Sequence, residues 1–319
     1  MAVNLDKPQT WKADVVQSVD MYNQWFMTFA PKAFRDTRVQ TTKMVQLALK
    51  RTSNLTDVSA AAFRRHPDIL PTLRMSTCPP IAVDRIVGLS GASKNLVKNL
   101  EEGKLPPRMD PAEMTTQLDL LGDIIEKMAD TDIFVWLGRK EPATPEEIER
   151  AATIVADRLC GAKANPIIRN AQEKRQLSYM ADWLSKRGYK KLSDDHGFSF
   201  DTMPPGTYSF RLNVTVGDQN GDKAINIPVD AVIMRKTAKK GDFPLLVEAK
   251  SAGDFTNTNK RRKEEAQKVT QLRAKYGPSI EFILFLCGYF NPGYLGYEAS
   301  EGIDWVWEHR IDDLAKFQL

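Results

Sequence analysis

Three charged side chains in the C-terminal half have the types and spacing needed for phosphate chemistry. Pro228-Val229-Asp230 is followed, after a spacer, by Glu248-Ala249-Lys250. Residues i and i+2 of a strand project from one face, so Glu248 and Lys250 point together, and Asp230 reaches them if the two strands pair. Two carboxylates converging on one point repel unless a cation lies between them. Hard oxygen ligands suit Mg²⁺, which retains several waters and also binds phosphate oxygens. A lysine beside it can orient an attacking water and stabilise charge developing on phosphate. Asp230 and Glu248 are therefore the candidate metal ligands, a set to which the reading adds the Ala249 carbonyl, and Lys250 is the candidate catalytic cation. The chemistry is hydrolysis of a phosphodiester.

Such a cluster needs strands to hold it, and the flanking sequence supplies them. Residues 209–217 (SFRLNVTVG) alternate apolar and polar, and 218–222 (DQNGD) contain Asn-Gly, a strong hairpin signal. A second strand is expected over 224–233 and a third over 243–251. A helix is expected from about Asn259 to Tyr276, stopped by Gly277-Pro278. Residues 280–286 (IEFILFL) are almost wholly apolar, as a strand buried on both faces would be. The expected order is helix, three strands, helix, strand.

That order and the PVD…EAK pattern resemble the PD-(D/E)XK nuclease superfamily. Four further segments narrow the resemblance: TWKADVVQSVDMYNQWF (10–26), CPPIAVDRIVGLSGASKNLVKNLEEGKLPPRM (78–109), KSAGDFTNTNKRRKEEAQK (250–268) and GIDWVWEHRIDDL (302–314). Together they are similar to the XamI family of type II restriction endonucleases. The resemblance implies Mg²⁺-dependent cutting of double-stranded DNA at a short palindrome by a homodimer, alongside a cognate DNA methyltransferase. In the superfamily, a glutamate on the helix before the sheet often adds an acid at the metal site. Glu173, within Gln172-Glu173-Lys174-Arg175-Gln176, is the candidate for that role.

The charge distribution agrees. The chain of 319 residues carries a formal charge of only +4, but residues 235–275 hold 12 Lys and Arg against 5 Asp and Glu. A basic run is usually a solvated face; one that abuts a metal site is placed to bind phosphates. Within it, Thr256, Asn257, Asn259, Lys260, Arg261, Arg262 and Lys263 join a glycine-containing loop to a helix start, a combination suited to DNA contact. Gln267 and Gln271 on that helix could face either the site or solvent. The three cysteines lack disulfide or zinc spacing, and the three histidines are too scattered for a ligand set. No signal peptide opens the chain, and no apolar run approaches a membrane span of about 20 residues. A soluble, cytoplasmic protein with no membrane contact is expected.

The first half reads as helices. Residues 11–29 carry a broad apolar face, Pro31 is expected to interrupt it, and 33–49 continue the pattern. Thr144-Pro145-Glu146-Glu147 opens a helix toward Leu159, and Asn165-Pro166 opens another that ends before Gly188. The GAKAN stretch between them suggests a boundary, giving a helical recognition domain at 1–160 and a nuclease domain at 161–319. Residues 86–100 resemble a helix-turn-helix, with Lys94, Asn95 and Lys98 exposed for base reading, although Val87 stands where a smaller residue is usual. The expected fold is α/β: a mixed sheet flanked by helices, preceded by an all-helical N-terminal domain. Two alternatives are a repair or recombination nuclease of low sequence specificity and a helix-turn-helix regulator with an inactive core.

Overall fold

The computed structural model describes residues 2–193, 199–217, 224–255 and 258–319, with the backbone alone for 258–262. The chain forms two compact units, Ala30–Ile168 and Met1–Phe29 with Arg169–Leu319. Its helices are α1 (Pro8–Arg51), α2 (Ala60–Arg65), α3 (Leu70–Met75), α4 (Val83–Ser90), α5 (Lys94–Glu101), α6 (Pro111–Met128), α7 (Pro145–Lys186), α8 (Thr258–Tyr276) and α9 (Pro292–Ser300). The strands are β1 (Lys190–Lys191), β2 (Thr207–Gly217), β3 (Ala224–Met234), β4 (Leu245–Ala252), β5 (Phe282–Gly288) and β6 (Asp304–Trp307).

These strands form one mixed sheet in the order β1-β2-β3-β4-β5-β6. The antiparallel pairs β2/β3 and β3/β4 form its middle, and the remaining pairs are parallel. The expected run of three strands, a helix and a strand is present. The Asn220-Gly221 turn lies outside the described residues. Every residue of β5 is buried, as its apolar run requires, and alternate residues feed two cores. Leu284 and Leu286 pack with Leu246, Trp305, and Val269 and Leu272 of α8. Ile283 and Phe285 pack on the opposite face with Val247, Val306, and Met180, Trp183 and Leu184 of α7. Burial of side chains this large, at about 1.5–3 kcal/mol each, fixes the strand register that the site depends on.

One expectation about the helices is corrected. Pro31 does not interrupt a helix and Pro166 does not open one: α1 runs unbroken for 44 residues and α7 for 42. Each proline removes one backbone donor, yet buried residues on both sides, such as Tyr22 and Val45 in α1 or Leu159 and Met180 in α7, hold the helix by packing. The compact units divide at Phe29/Ala30 and Ile168/Arg169. The N-terminal residues belong with the sheet because Asp304 accepts backbone N–H bonds from Val3 at 2.6 Å and Asn4 at 3.0 Å. Trp11 then meets Trp305 edge-on, with ring centroids 5.4 Å apart.

The all-helical unit has its own core, centred on residues such as Phe63, Leu73, Leu96, Leu118 and Phe134. Thr144 and Glu147 form the expected capping box at the start of α7, with bonds of 3.3 and 2.9 Å.

Candidate active site

The β3/β4 ladder pairs Ala231 with Val247, and beyond that point the Asp230 side chain takes over from the main chain. Its Oδ2 accepts the Ala249 N–H at 2.8 Å, so a carboxylate stands where a strand carbonyl would otherwise be. Glu248 and Lys250 lie two residues apart, and Lys250 Nζ donates to Glu248 Oε1 at 2.9 Å. The geometry brings Asp230, Glu248 and Lys250 together. Opposite Asp230, Arg211 breaks the regular β2/β3 pairing sequence and adopts φ 54°, in the left-handed region that side chains other than glycine rarely occupy.

Helices α8 and α9 add residues that the sequence reading did not identify. Lys268 Nζ reaches Glu248 Oε1 at 2.7 Å, and Glu265 Oε1 lies 3.3 Å from Lys250 Nζ. Tyr294 donates its hydroxyl to Glu265 Oε2 at 3.0 Å. Glu265 and Lys268 are one turn apart on the helix face that also carries Val269 and Leu272. That spacing is the signal that could have found them. Gln267 is exposed and Gln271 half-buried, so neither is drawn into this cluster.

Burial and crowding set the electrostatics. Asp230 is pushed up to about 6, first by burial and then by the Glu248 charge, despite the opposing Ala249 N–H and Lys250. Burial acts to lower the Lys250 pKa, but Glu248 and Glu265 outweigh it and hold the ammonium above its ordinary value. Burial also raises Glu265. Glu248 is only 5% exposed, and its second oxygen, Oε2, is buried without a hydrogen-bond partner.

An orphaned carboxylate oxygen beside a second, repelled carboxylate is a site that fits a hard cation. Among the described residues no group of three or more His, Cys, Asp or Glu is arranged to hold a metal. Two carboxylates suffice for Mg²⁺, which commonly takes one or two and completes its shell with water and phosphate.

Glu173, on α7, adds a charge that helps raise the Asp230 pKa. Its carboxylate pairs with Arg211, at 2.7 Å from Nη2 and 3.2 Å from Nε. Nearby on α7, Gln176 is buried and its Nε2 lies 3.4 Å from the carbonyls of both Lys250 and Phe285, tying the helix to β4 and β5. Arg175 pairs with Glu308 at 2.8 Å. The run at 172–176 thus contributes more than the single glutamate read from it.

The DNA-contact candidates fall into two groups. Thr256 and Asn257 lie outside the described residues. Asn259, Lys260, Arg261 and Arg262 occupy the first turns of α8, where the backbone alone is described, and Lys263 is exposed. In the other unit, α4 and α5 are joined through Gly91 at φ 71°, and the Ser93 side chain caps α5 by accepting the Leu96 N–H. Leu96, Val97 and Leu100 are buried, while Lys94, Asn95 and Lys98 are exposed. Lys94 faces Asp84 at 3.6 Å, both largely in solvent.

A mixed sheet whose adjacent middle strands bring Asp230 together with a Glu-x-Lys triplet defines a nuclease core of the PD-(D/E)XK class. The sequence description of the XamI restriction endonuclease family matches residues 53–307. The type II restriction enzyme SalI of Streptomyces albus G is 56% identical over 312 residues, covering 98% of each chain. No solved structure matches. The chain belongs to the XamI restriction endonuclease family, and its activity is that of a type II site-specific deoxyribonuclease.

Proposed function

We propose that this enzyme uses Mg²⁺ to hydrolyse one phosphodiester in each strand of a short palindromic DNA sequence. The observation that carries the reading is the meeting of Asp230 and Glu248 on the adjacent strands β3 and β4, with Glu248 Oε2 left without a partner beside Lys250. Asp230 and Glu248, with the Ala249 carbonyl, would hold the ion. When bound, it would supply Lewis-acid polarisation of the phosphate and of water. Asp230 is oriented by the Ala249 N–H, which fixes one carboxylate oxygen and leaves the other for a ligand. Lys250, anchored between Glu248 and Glu265, presents a fixed positive charge where phosphorane charge develops and can orient the attacking water. Glu173 would act beside Asp230, steered by Arg211.

Lys94, Asn95 and Lys98 would read base edges, while Thr256, Asn257, Asn259, Lys260, Arg261, Arg262 and Lys263 would hold phosphates and bases near the cut. A palindromic duplex presents two equivalent phosphates about a twofold axis, which favours a homodimer. A cognate DNA methyltransferase would protect the host sequence. Three free cysteines suit a reducing cytoplasm, and among the described residues no helix is long and apolar enough to cross a membrane. The intact Asp230, Glu248 and Lys250 set speaks against a regulator with an inactive core. Digestion of a plasmid of known sequence, with Mg²⁺ and with EDTA, tests the proposal. Discrete fragments with mappable ends are expected only with Mg²⁺, and equal cleavage in EDTA would overturn it.

A further inference from the structure

Resting on the reading that Asp230 and Glu248 hold a metal ion, we propose that Lys268 supplies the countercharge to Glu248 until that ion arrives. Glu248 Oε1 is shared by two ammonium groups, Lys250 at 2.9 Å and Lys268 at 2.7 Å. The two are held differently. Lys250 rises from the same strand and has a second anchor in Glu265 at 3.3 Å, itself fixed by Tyr294. Lys268 arrives from α8 on a flexible four-carbon stem, its side chain 24% exposed, and among the described residues Glu248 is its only salt-bridge partner. It is therefore the cation able to leave.

The charge balance gives the departure a cause. Asp230, Glu248 and Glu265 face Lys250 and Lys268, so the cluster with all groups ionised has one excess negative charge. A divalent ion turns this into one excess positive charge, and withdrawal of the Lys268 ammonium relieves it. Without the metal, the same ammonium compensates a carboxylate that burial would otherwise leave under-neutralised. The contact thus stabilises the metal-free fold and weakens metal binding, so that added phosphate ligands from DNA favour loading.

Calorimetric titration of Ca²⁺, an oxygen-seeking ion of the same charge, into the full-length metal-free protein separates the possibilities. Lys268→Met should bind Ca²⁺ on the order of tenfold more tightly than wild type, and Lys268→Arg, which keeps the charge, should stay near wild type. Asp230→Asn should lose most binding. If wild type binds and Lys268→Met binds no tighter, the Lys268 proposal fails and the metal site stands. If wild type and Asp230→Asn bind alike, the metal-site reading fails and takes the proposal with it. Should Lys268→Met not fold, acylation of the wild-type amines provides the second measurement. Labelling of Lys268, read by peptide mass, should rise several-fold on saturation with Ca²⁺, and an unchanged rate overturns the proposal.

Discussion

Replacing Asp230 by asparagine should make the metal-free enzyme more stable while destroying its activity. Burial and the neighbouring Glu248 charge raise Asp230 from 3.8 to about 6. A carboxyl raised in the folded state favours folding only while protonated. Its contribution is complete below 3.8 and is lost as the pH rises through about 6. The gap between these values corresponds to about 3 kcal/mol, and partial exposure of Asp230 reduces this to on the order of 1–2 kcal/mol above pH 7. Asparagine keeps an acceptor for the Ala249 N–H and removes the charge. In EDTA at pH 8, Asp230→Asn should melt about 3–6 °C higher than wild type, and the difference should shrink steadily toward pH 4.5. Added Ca²⁺ should reverse the order by stabilising wild type alone. Scanning calorimetry at these two pH values checks it. A variant less stable than wild type at pH 8, or a gain that does not change with pH, would refute the claim that burial and the Glu248 charge make ionised Asp230 costly in the fold.

Asp230→Ala, Glu248→Ala and Lys250→Ala should each lower plasmid cleavage by at least about 10²–10³, with DNA binding in gel-shift assays largely retained; ordinary cleavage by any of them removes the proposed site. Sedimentation should give a mass near twice 36.0 kDa, alone or on cognate duplex, and a monomer on cognate DNA rejects the dimer. Replacing Lys94, Asn95 or Lys98 should weaken cognate binding by about 1–3 kcal/mol and relax preference at one position. Replacing Arg261, Arg262 or Lys263 should instead weaken cognate and scrambled duplexes equally and reduce the salt slope by about one counterion each. Competition assays at two salt concentrations distinguish the two patterns, and unchanged discrimination by the 94–98 variants leaves that hairpin without a reading role.

The sheet was legible because its strands obey local rules. The apolar run at 280–286 could only be buried on two faces, and the alternation over 212–216 marks residues that share one core, although the break at Arg211 sends Phe210 to the other. Helix ends were legible where a side chain makes the cap, as at Ser93 and Thr144. They were misread where Pro31 was taken as an interruption and Pro166 as a helix start. At Pro31 and Pro166 the lost hydrogen bond is a local cost, whereas the packing that outweighs it comes from residues distant in sequence. The same limit hid the place of the N-terminus. Nothing in residues 1–7 announces a sheet partner, because the partner is the Asp304 carboxylate about 300 residues later.

The candidate site divides along the same line. Asp230, Glu248 and Lys250 were readable because strand periodicity and pairing of neighbouring strands constrain them. Glu265 and Lys268 were not, because α8 is so rich in charge that its polar residues look alike in sequence. What distinguishes these two is a face shared with Val269 and Leu272, both packed against the sheet. A charged side chain i−4 from a buried valine cannot stay in solvent at little cost, so it must find an opposite charge in the interior. Glu265 finds Lys250, and Lys268 finds Glu248. The two helix residues thereby extend the strand motif into a charge-alternating cluster of Tyr294, Glu265, Lys250, Glu248 and Lys268. In that arrangement Lys250 is held from both sides, whereas Glu248 shares one oxygen between Lys250 and the less firmly held Lys268 and keeps the other without a partner.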